Sequence, residues 1–582
     1  MKASGFMLAA ALLTGCASPH FQLHIGKPDS AIDAAPALTV PIGLVADTQF
    51  HESRGVASRY LGLGGDELVG VTIRTGQQVI GAGDVLTAAL QRTASLPLVI
   101  HAGDAIDVSC QTEWNRFRQV MADSPRGAPG ASSWLFTPGN HDGFLAGNIF
   151  PLSTDSYQDA YWANLCNAGQ MWTEDKQVRH SFIAKHHLVR DYVRWLGGTF
   201  GGDDTSRACD SKGTLCWVAY APASRPWESY LVQLVRLPSA SGAKSPVYAL
   251  MLDSSDYERR PYLTSFVAGV QGSLSSAQME AASSLLQPLP PHARFFFVTH
   301  HPTSDWRGQE WSAGQRTAWT NLLQDSRSLR FVVSAHTHTG FLRRNANELG
   351  TFAELNTGSL ADAPIYLRTI EFRQGSNGRI GVRSEAEPIA VDPHRCAQLL
   401  PRTDNPEYDY DVDGQRSESD RAGERSPGPV AIGSALYYFF NFWESKHKEL
   451  RPQLLAYADI VEVTMPADVE LRYIWTSTPT GPEEETLSGP KSVADALRRY
   501  ANCRTGLGKC SAQAKGNLLM ALEAYYAGTK TPTDVKVRAH ELRLCLAVMA
   551  TNDSAADRSE VRRLYRDIAK PWAIWLTQEG EN

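Results

Sequence analysis

Six short apolar runs, each ending in a polar cluster, mark the first two thirds of the chain: PIGLVAD (41–47), LPLVIHAGD (96–104), SWLFTPGNHD (133–142), VYALMLDSS (247–255), ARFFFVTHHP (293–302) and RFVVSAHTHTG (330–340). A run of four to six apolar residues is what a strand buried on both faces looks like, and a polar cluster at its end is how such a strand delivers side chains to a site. Between several of these runs lie helical patterns, such as GDVLTAALQRTA (83–94) and SSAQMEAASSLLQ (275–287). A hairpin follows, IYLRTIEFR (365–373) and GRIGVRSEA (378–386), turned through QGSNG. Strands alternating with helices predict an α/β layered domain.

The stretch from about 144 to 243 interrupts the alternation with aromatic-rich helical patterns (SYQDAYWANL, KHHLVRDYVRWLG) and three cysteines. It reads as an insertion that overhangs the site. Residues 401–429 are polar, with Pro and Gly and almost no aliphatic side chains, and read as an exposed linker. After it, residues 430–582 hold successive segments of helical periodicity, ending in SEVRRLYRDIAKPWAIWL, and predict a mainly helical second domain. A chain of 582 residues is too long for one core, which agrees with this division.

The first residues change the picture. Lys2 precedes an apolar run too short to span a bilayer, and LLTGC ends it at Cys16. LLTGC resembles the lipobox of bacterial lipoproteins, which implies a signal peptide over 1–15, lipid on Cys16 and a tether over 16–39. The implied location is the bacterial cell envelope, at the outer membrane or periplasmic face, with the membrane engaged through the lipid anchor. Of nine cysteines, eight then remain, an even number that suits disulfides in an exported chain. Cys209/Cys216 and Cys503/Cys510 are close enough to close small loops; the other four allow three pairings, of which Cys110–Cys166 with Cys396–Cys545 is one. A net charge of −6 argues against a nucleic-acid partner.

The strand ends carry the candidate chemistry: Asp47 with Gln49, Asp104 in GDAID, Asn140 and His141 in GNHD, His300 and His301 in THHP, His336 and His338 in AHTH. Strand C-terminal ends meet along one edge of such a sheet. Carboxylates, an amide oxygen and imidazoles together suit two borderline divalent ions, which clamp a phosphate and lower the pKa of a bridging water.

The ordered set D-x-[HQ], GDxxD, GNHD, HHP and [GA]HxH resembles the calcineurin-like metallophosphoesterase superfamily over about residues 40–385. The resemblance implies a four-layer αββα sandwich over residues 40–400 and hydrolysis of a phosphomonoester or phosphodiester by in-line attack of a metal-bridging hydroxide. Asp104 would bridge two divalent metal ions. Asp47, Gln49 and His338 would hold the first, Asn140, His300 and His336 the second, and His141 would be the catalytic histidine touching substrate. Gln49 stands where the family usually has histidine, and His51 is the competing donor if the strand runs on. A neutral amide oxygen shifts the first site toward Mn or Mg and away from Zn, so manganese is expected, with Fe, Zn or Mg as other occupants. Asp142 is expected to orient His141, and Asp107 to lie outside the metal-binding set. The substrate is expected to be a small phosphorylated molecule, with an envelope partner left to the C-terminal region. A different class of protein, a surface binding or adhesion lipoprotein on a worn scaffold, would have lost several of these ligands, whereas here only Gln49 departs from the usual type.

Overall fold

The computed structural model describes residues 29–50, 76–144 apart from 108, 183–257, 271–391, 395–396, 465–478, 481–502, 533–554 and 570–577, with isolated positions between 454 and 525. Cys16, His51, Cys166, Cys503, Cys510 and the 402–429 linker lie outside the described residues. Among the described residues no helix is long and apolar enough to cross a membrane.

In chain order the elements are β1 (Ile42–Val45), α1 (Gly76–Arg92), β2 (Val99–His101), α2 (Gln111–Asp123), β3 (Trp134–Phe136), α3 (Lys185–Trp195), β4 (Thr205–Cys209), β5 (Leu215–Tyr220), β6 (Tyr230–Arg236), β7 (Val247–Met251), α4 (Ser276–Leu286), β8 (Arg294–Val298), α5 (Ala313–Gln324), β9 (Ser328–Ser334), β10 (Phe341–Asn347), β11 (Gly350–Asn356), β12 (Tyr366–Gln374) and β13 (Ile380–Pro388). They are followed by β14 (Glu470–Thr478), β15 (Gly481–Ser488), α6 (Gly489–Ala501), α7 (Thr533–Ser554) and β16 (Trp572–Trp575). One sheet has the order β16-β13-β12-β1-β2-β3 and the other β10-β11-β9-β8-β7-β6-β5-β4. The strands that end in polar clusters run parallel, β1 beside β2 beside β3 at one side of the first sheet, and β7 beside β8 beside β9 in the middle of the second.

The two sheets face each other. Alternate residues of β8 show it: Phe296 and Val298 join the core between the sheets with Leu44, Ile100, Leu135 and Phe372, while Phe295 and Phe297 turn to α4 and α5. Phe296 lies 4.9 Å from Phe372 of the first sheet, and Phe297 lies 4.9 Å from Trp319 of α5. Side chains of α1, among them Val85, Leu86 and Ala89, join the same core from the outer face of the first sheet. The order is helix, sheet, sheet, helix, four layers in all. Each fully buried Phe here contributes roughly 1.5–3 kcal/mol by leaving water.

Two parts differ from the sequence-based expectation. Residues 205–236 are not an overhanging insertion, because β4, β5 and β6 extend the second sheet by three antiparallel strands. The Cys209–Cys216 disulfide lies across the β4–β5 pair, where the two residues are in register. The C-terminal region, expected to be a mainly helical second domain, holds strands beside its helices and joins the first sheet. β14 and β15 pair antiparallel, and WAIW (572–575), read above as the end of a helix, is a strand that pairs with β13. Aromatic residues after Pro571 have strand rather than helix preference, and the open edge of β13 supplies the partner. Trp572 is fully buried, with the Arg368 guanidinium 3.4 Å from its ring centroid. Helix α7 joins two cores: Ala539 and Leu542 pack with the C-terminal cluster, Ala547 and Val548 with the core of the sandwich. It approaches α1 so closely that a Cβ on Gly81 would lie 2.3 Å from that of Ala547. Asp84 of α1 receives hydrogen bonds from Arg543 and pairs with His540, and Cys396–Cys545 ties α7 down covalently. Cys110 is also disulfide-bonded.

Candidate metal centre

The site residues stand just beyond the strands that carry them. β1 ends at Val45 and β9 at Ser334, and the backbone then turns left-handed at Asp47 (φ 51°), Gln49 (φ 44°), Asp104 (φ 56°), His336 (φ 71°) and His338 (φ 60°). Left-handed φ at five non-glycine residues is costly, and such strain collects where side chains must be aimed. Ala335, between β9 and His336, is not among the left-handed residues, so its methyl group is accommodated without strain. Two glycines of the motifs are required. A Cβ on Gly103 (φ 99°) would lie 2.6 Å from His300 Nδ1, and one on Gly139 would lie 2.2 Å from Asp104 Oδ1.

Asp104 is at the centre. His300 Nε2 lies 3.2 Å from its Oδ2, the Gln49 amide nitrogen donates to the same oxygen at 3.1 Å, and the His141 backbone N–H donates to Oδ1 at 2.9 Å. Burial opposes its charge, but His300 and His141 outweigh burial and hold the carboxyl well below its ordinary range. His300 is oriented from behind: its Nδ1 is 2.9 Å from the Ala102 carbonyl, which only accepts, so Nδ1 carries the proton. Its Nε2 therefore faces the Asn140 oxygen at 3.0 Å and Asp104 Oδ2 with a lone pair. A lone pair among oxygens needs a cation between them. Without one it takes a proton: burial resists, Asp104 and Asp47 prevail, and the ring is pushed up to about 9.

On the other side, His338 Nε2 lies 3.3 Å from Asp47 Oδ1, a buried oxygen with no other donor among the described residues. His338 Nδ1 is held by Asp362, the carboxylate–histidine pairing that fixes a ligand's tautomer. Its ring is pushed up to about 10, burial being outweighed by Asp47 and Asp362. The backbone N–H of His336 donates to Asp47 Oδ2 at 3.3 Å, and its ring, 5.2 Å from that of His300, is pushed down to about 3 by burial and by His300. Asp47, Asp104 and His300 each offer a ligand atom within 4.8 Å of the others, and so do His300, His301 and His336. This donor set of carboxylates, amide and imidazoles fits two divalent cations, which would be held by atoms such as the Asp47 oxygen facing His338 and the His300 nitrogen facing Asn140.

Four layers with these motifs at the strand ends are what the resemblance to the calcineurin-like metallophosphoesterases implies. No family model matches the chain, and no curated protein does. Among solved structures it is similar to a dimetal phosphatase from Danio rerio, at 12% identity over 60% of this chain and 96% of that one, with a TM-score of 0.30. It is also similar to a purple acid phosphatase from yellow lupin seeds, at 9% identity over 61% of this chain and 52% of that one, with a TM-score of 0.30. A sulfate thiohydrolase, SoxB, from Thermus thermophilus is 13% identical over 61% of this chain and 57% of that one, with a TM-score of 0.26.

All seven expected ligands thus gather at one edge, but their supports differ from the expectation. Asp142 does not orient His141. Its two oxygens receive four backbone N–H groups, from Asp104 (2.8 Å), Gly139 (2.8 Å), Ala105 (2.9 Å) and Ile106 (3.2 Å), and so lock the GDAID loop to the GNHD loop. Burial and Asp104 push its carboxyl up to about 7 against those donors. Asp107 is the residue that orients His141: Nδ1 lies 2.7 Å from its carbonyl and 3.1 Å from its carboxylate. Burial opposes the imidazolium, Asp104 and Asp107 outweigh it, and His141 is pushed up to about 9 while its side chain stays 18% exposed. Gln49 presents its amide nitrogen to Asp104; a half-turn of the amide would present the oxygen instead. Asp362 carried no sequence signal, since it follows His338 by 24 residues in a turn without a motif.

Proposed function

We propose that this chain is a dinuclear metal-dependent phosphoesterase that hydrolyses a phosphomonoester or phosphodiester. The observation that carries the reading is Asp104. Its buried carboxylate sits between a set made of Asp47, Gln49 and His338 and a set made of Asn140, His300 and His336. Two divalent cations supply the positive charge that clamps a phosphate and activates water. The chain's own residues do the rest. Asp362 and the Ala102 carbonyl hold two imidazoles with Nε2 free to ligate. Asp107 holds His141 by Nδ1, which orients a partly exposed ring that would give a proton to the departing oxygen. The neutral amide of Gln49 favours manganese in the first set.

Lipidation at Cys16 and a place in the cell envelope form part of the same proposal, and radiolabelled palmitate incorporation that is lost in Cys16→Ser tests them. The function is tested by elemental analysis of the full chain and by turnover of an aryl phosphodiester and monoester with added Mn. Two metal equivalents with turnover are expected, and Asn140→Ala should lose activity by orders of magnitude while remaining folded. Absence of both metal and turnover would return the chain to the reading of a binding lipoprotein.

A further inference from the structure

His301 has no part in the roles above. Its ring is fully buried, with centroids 4.9 Å from His300 and 4.7 Å from His336. One ring nitrogen of each of these three histidines lies within 4.8 Å of those of the other two. Its carbonyl accepts from Thr299 Oγ1 at 2.9 Å and from Trp306 Nε1 at 3.0 Å. Gly272 closes over it, since a Cβ there would lie 2.7 Å from that of His301. The residue is therefore fixed in place.

The tautomer follows from Ser254, which is itself fully buried. Its Oγ accepts the His301 backbone N–H at 2.9 Å and lies 2.8 Å from His301 Nδ1. A hydroxyl has one proton to give, and among the described residues Nδ1 is the acceptor within reach. Nδ1 is then unprotonated, and the neutral ring carries its proton on Nε2. Nε2 is buried and has no hydrogen-bond partner among the described residues. A buried N–H without an acceptor costs roughly 1–3 kcal/mol, so it persists where something else brings the oxygen.

We propose that His301 is a substrate-contacting residue whose Nε2–H donates to a non-bridging phosphoryl oxygen, rather than a third imidazole ligand beside His300 and His336. The proposal rests on the phosphoesterase reading. A ligand role needs the lone pair on Nε2 and the proton on Nδ1, which would leave the Ser254 hydroxyl proton without an acceptor. The arrangement gives a neutral donor beside two cations, which stabilises charge on a phosphoryl oxygen without repelling the metals.

The test uses the full chain loaded with Mn, with three readouts: metal content, inorganic phosphate affinity by calorimetry, and kcat on an aryl phosphodiester. His301→Ala should retain two metals, bind phosphate about tenfold more weakly, and lose about 100-fold in kcat. His301→Gln, whose amide N–H can donate, should recover part of both, and it decides the matter if the alanine variant does not fold. Loss of one metal equivalent in either variant would make His301 a ligand and overturn the proposal, as would unchanged phosphate affinity and kcat. A wild-type protein that holds two metals and binds phosphate but turns over no ester sinks the phosphoesterase reading alone, because the phosphate comparison still tests His301.

Discussion

Asp142 is the point at which stability and activity should fail together. Its carboxylate is fully buried and gathers four backbone N–H groups from two loops that share no strand pairing beyond residue 136. Each bond to a charged acceptor is worth about 1.5–3 kcal/mol, so four would sum to roughly 6–12 kcal/mol if independent. They are not independent, since one carboxylate serves all four and water can enter after truncation. We expect Asp142→Ala to cost about 3–5 kcal/mol, which at about 2 °C per kcal/mol lowers Tm by roughly 6–10 °C. Asp142→Asn keeps one acceptor oxygen and sets its NH2 against the other N–H groups, so it should cost about half as much. The same alanine variant should bind metal poorly, because Asp104 and Asn140 are held in position by the loops it releases. The assays are thermal denaturation followed by circular dichroism and elemental analysis of the dialysed protein. An Asp142→Ala protein that melts within about 2 °C of wild type and retains two metals would show that the four bonds do not hold the loops.

Three further outcomes follow from the geometry. Trp572→Ala removes a fully buried ring from over Arg368 and should cost about 3–5 kcal/mol in a urea titration, although Trp572 is far from the site in sequence. Gln49→His should raise the zinc-to-manganese ratio in protein loaded from an equimolar mixture, and an unchanged ratio would remove Gln49 from the first metal set. Asp84 supplies a pH dependence: burial opposes its charge, but Arg543 and His540 hold its carboxyl below 3.8. A depressed carboxylate stabilises the fold above its unfolded pKa and loses that contribution as pH falls through the folded value. Stability should therefore drop below about pH 4, and Asp84→Asn should flatten that limb of the Tm profile.

The strand ends were legible because each signal is local, an apolar run followed within a few residues by its polar cluster. The reason the ligands share a face was not legible. Parity along a strand selects Asp47 with Gln49 and His336 with His338, yet all four lie past their strands with left-handed φ. The right residues emerge from a geometry that does not apply to them. Supports contributed from elsewhere in the chain were harder still. Asp362 reaches His338 from a turn without a motif, and the hold on His141 was assigned to Asp142 rather than to Asp107 because both are simply nearby carboxylates in sequence. In β5 the buried positions alternate with half-buried ones, so both faces read as apolar and the strand hid inside what looked like an insertion.

The strand Trp572–Trp575 has a consequence for how the chain is made. Its partner β13 ends at Pro388, so roughly 180 residues must be synthesised between the two halves of that pairing. At about 5–20 residues per second this takes roughly 10–40 s, during which β13 presents an unpaired edge. The Cys396–Cys545 disulfide waits through most of the same interval. The sandwich that carries the metal ligands therefore has its longest exposure to misassembly after all seven of those ligands have already been synthesised.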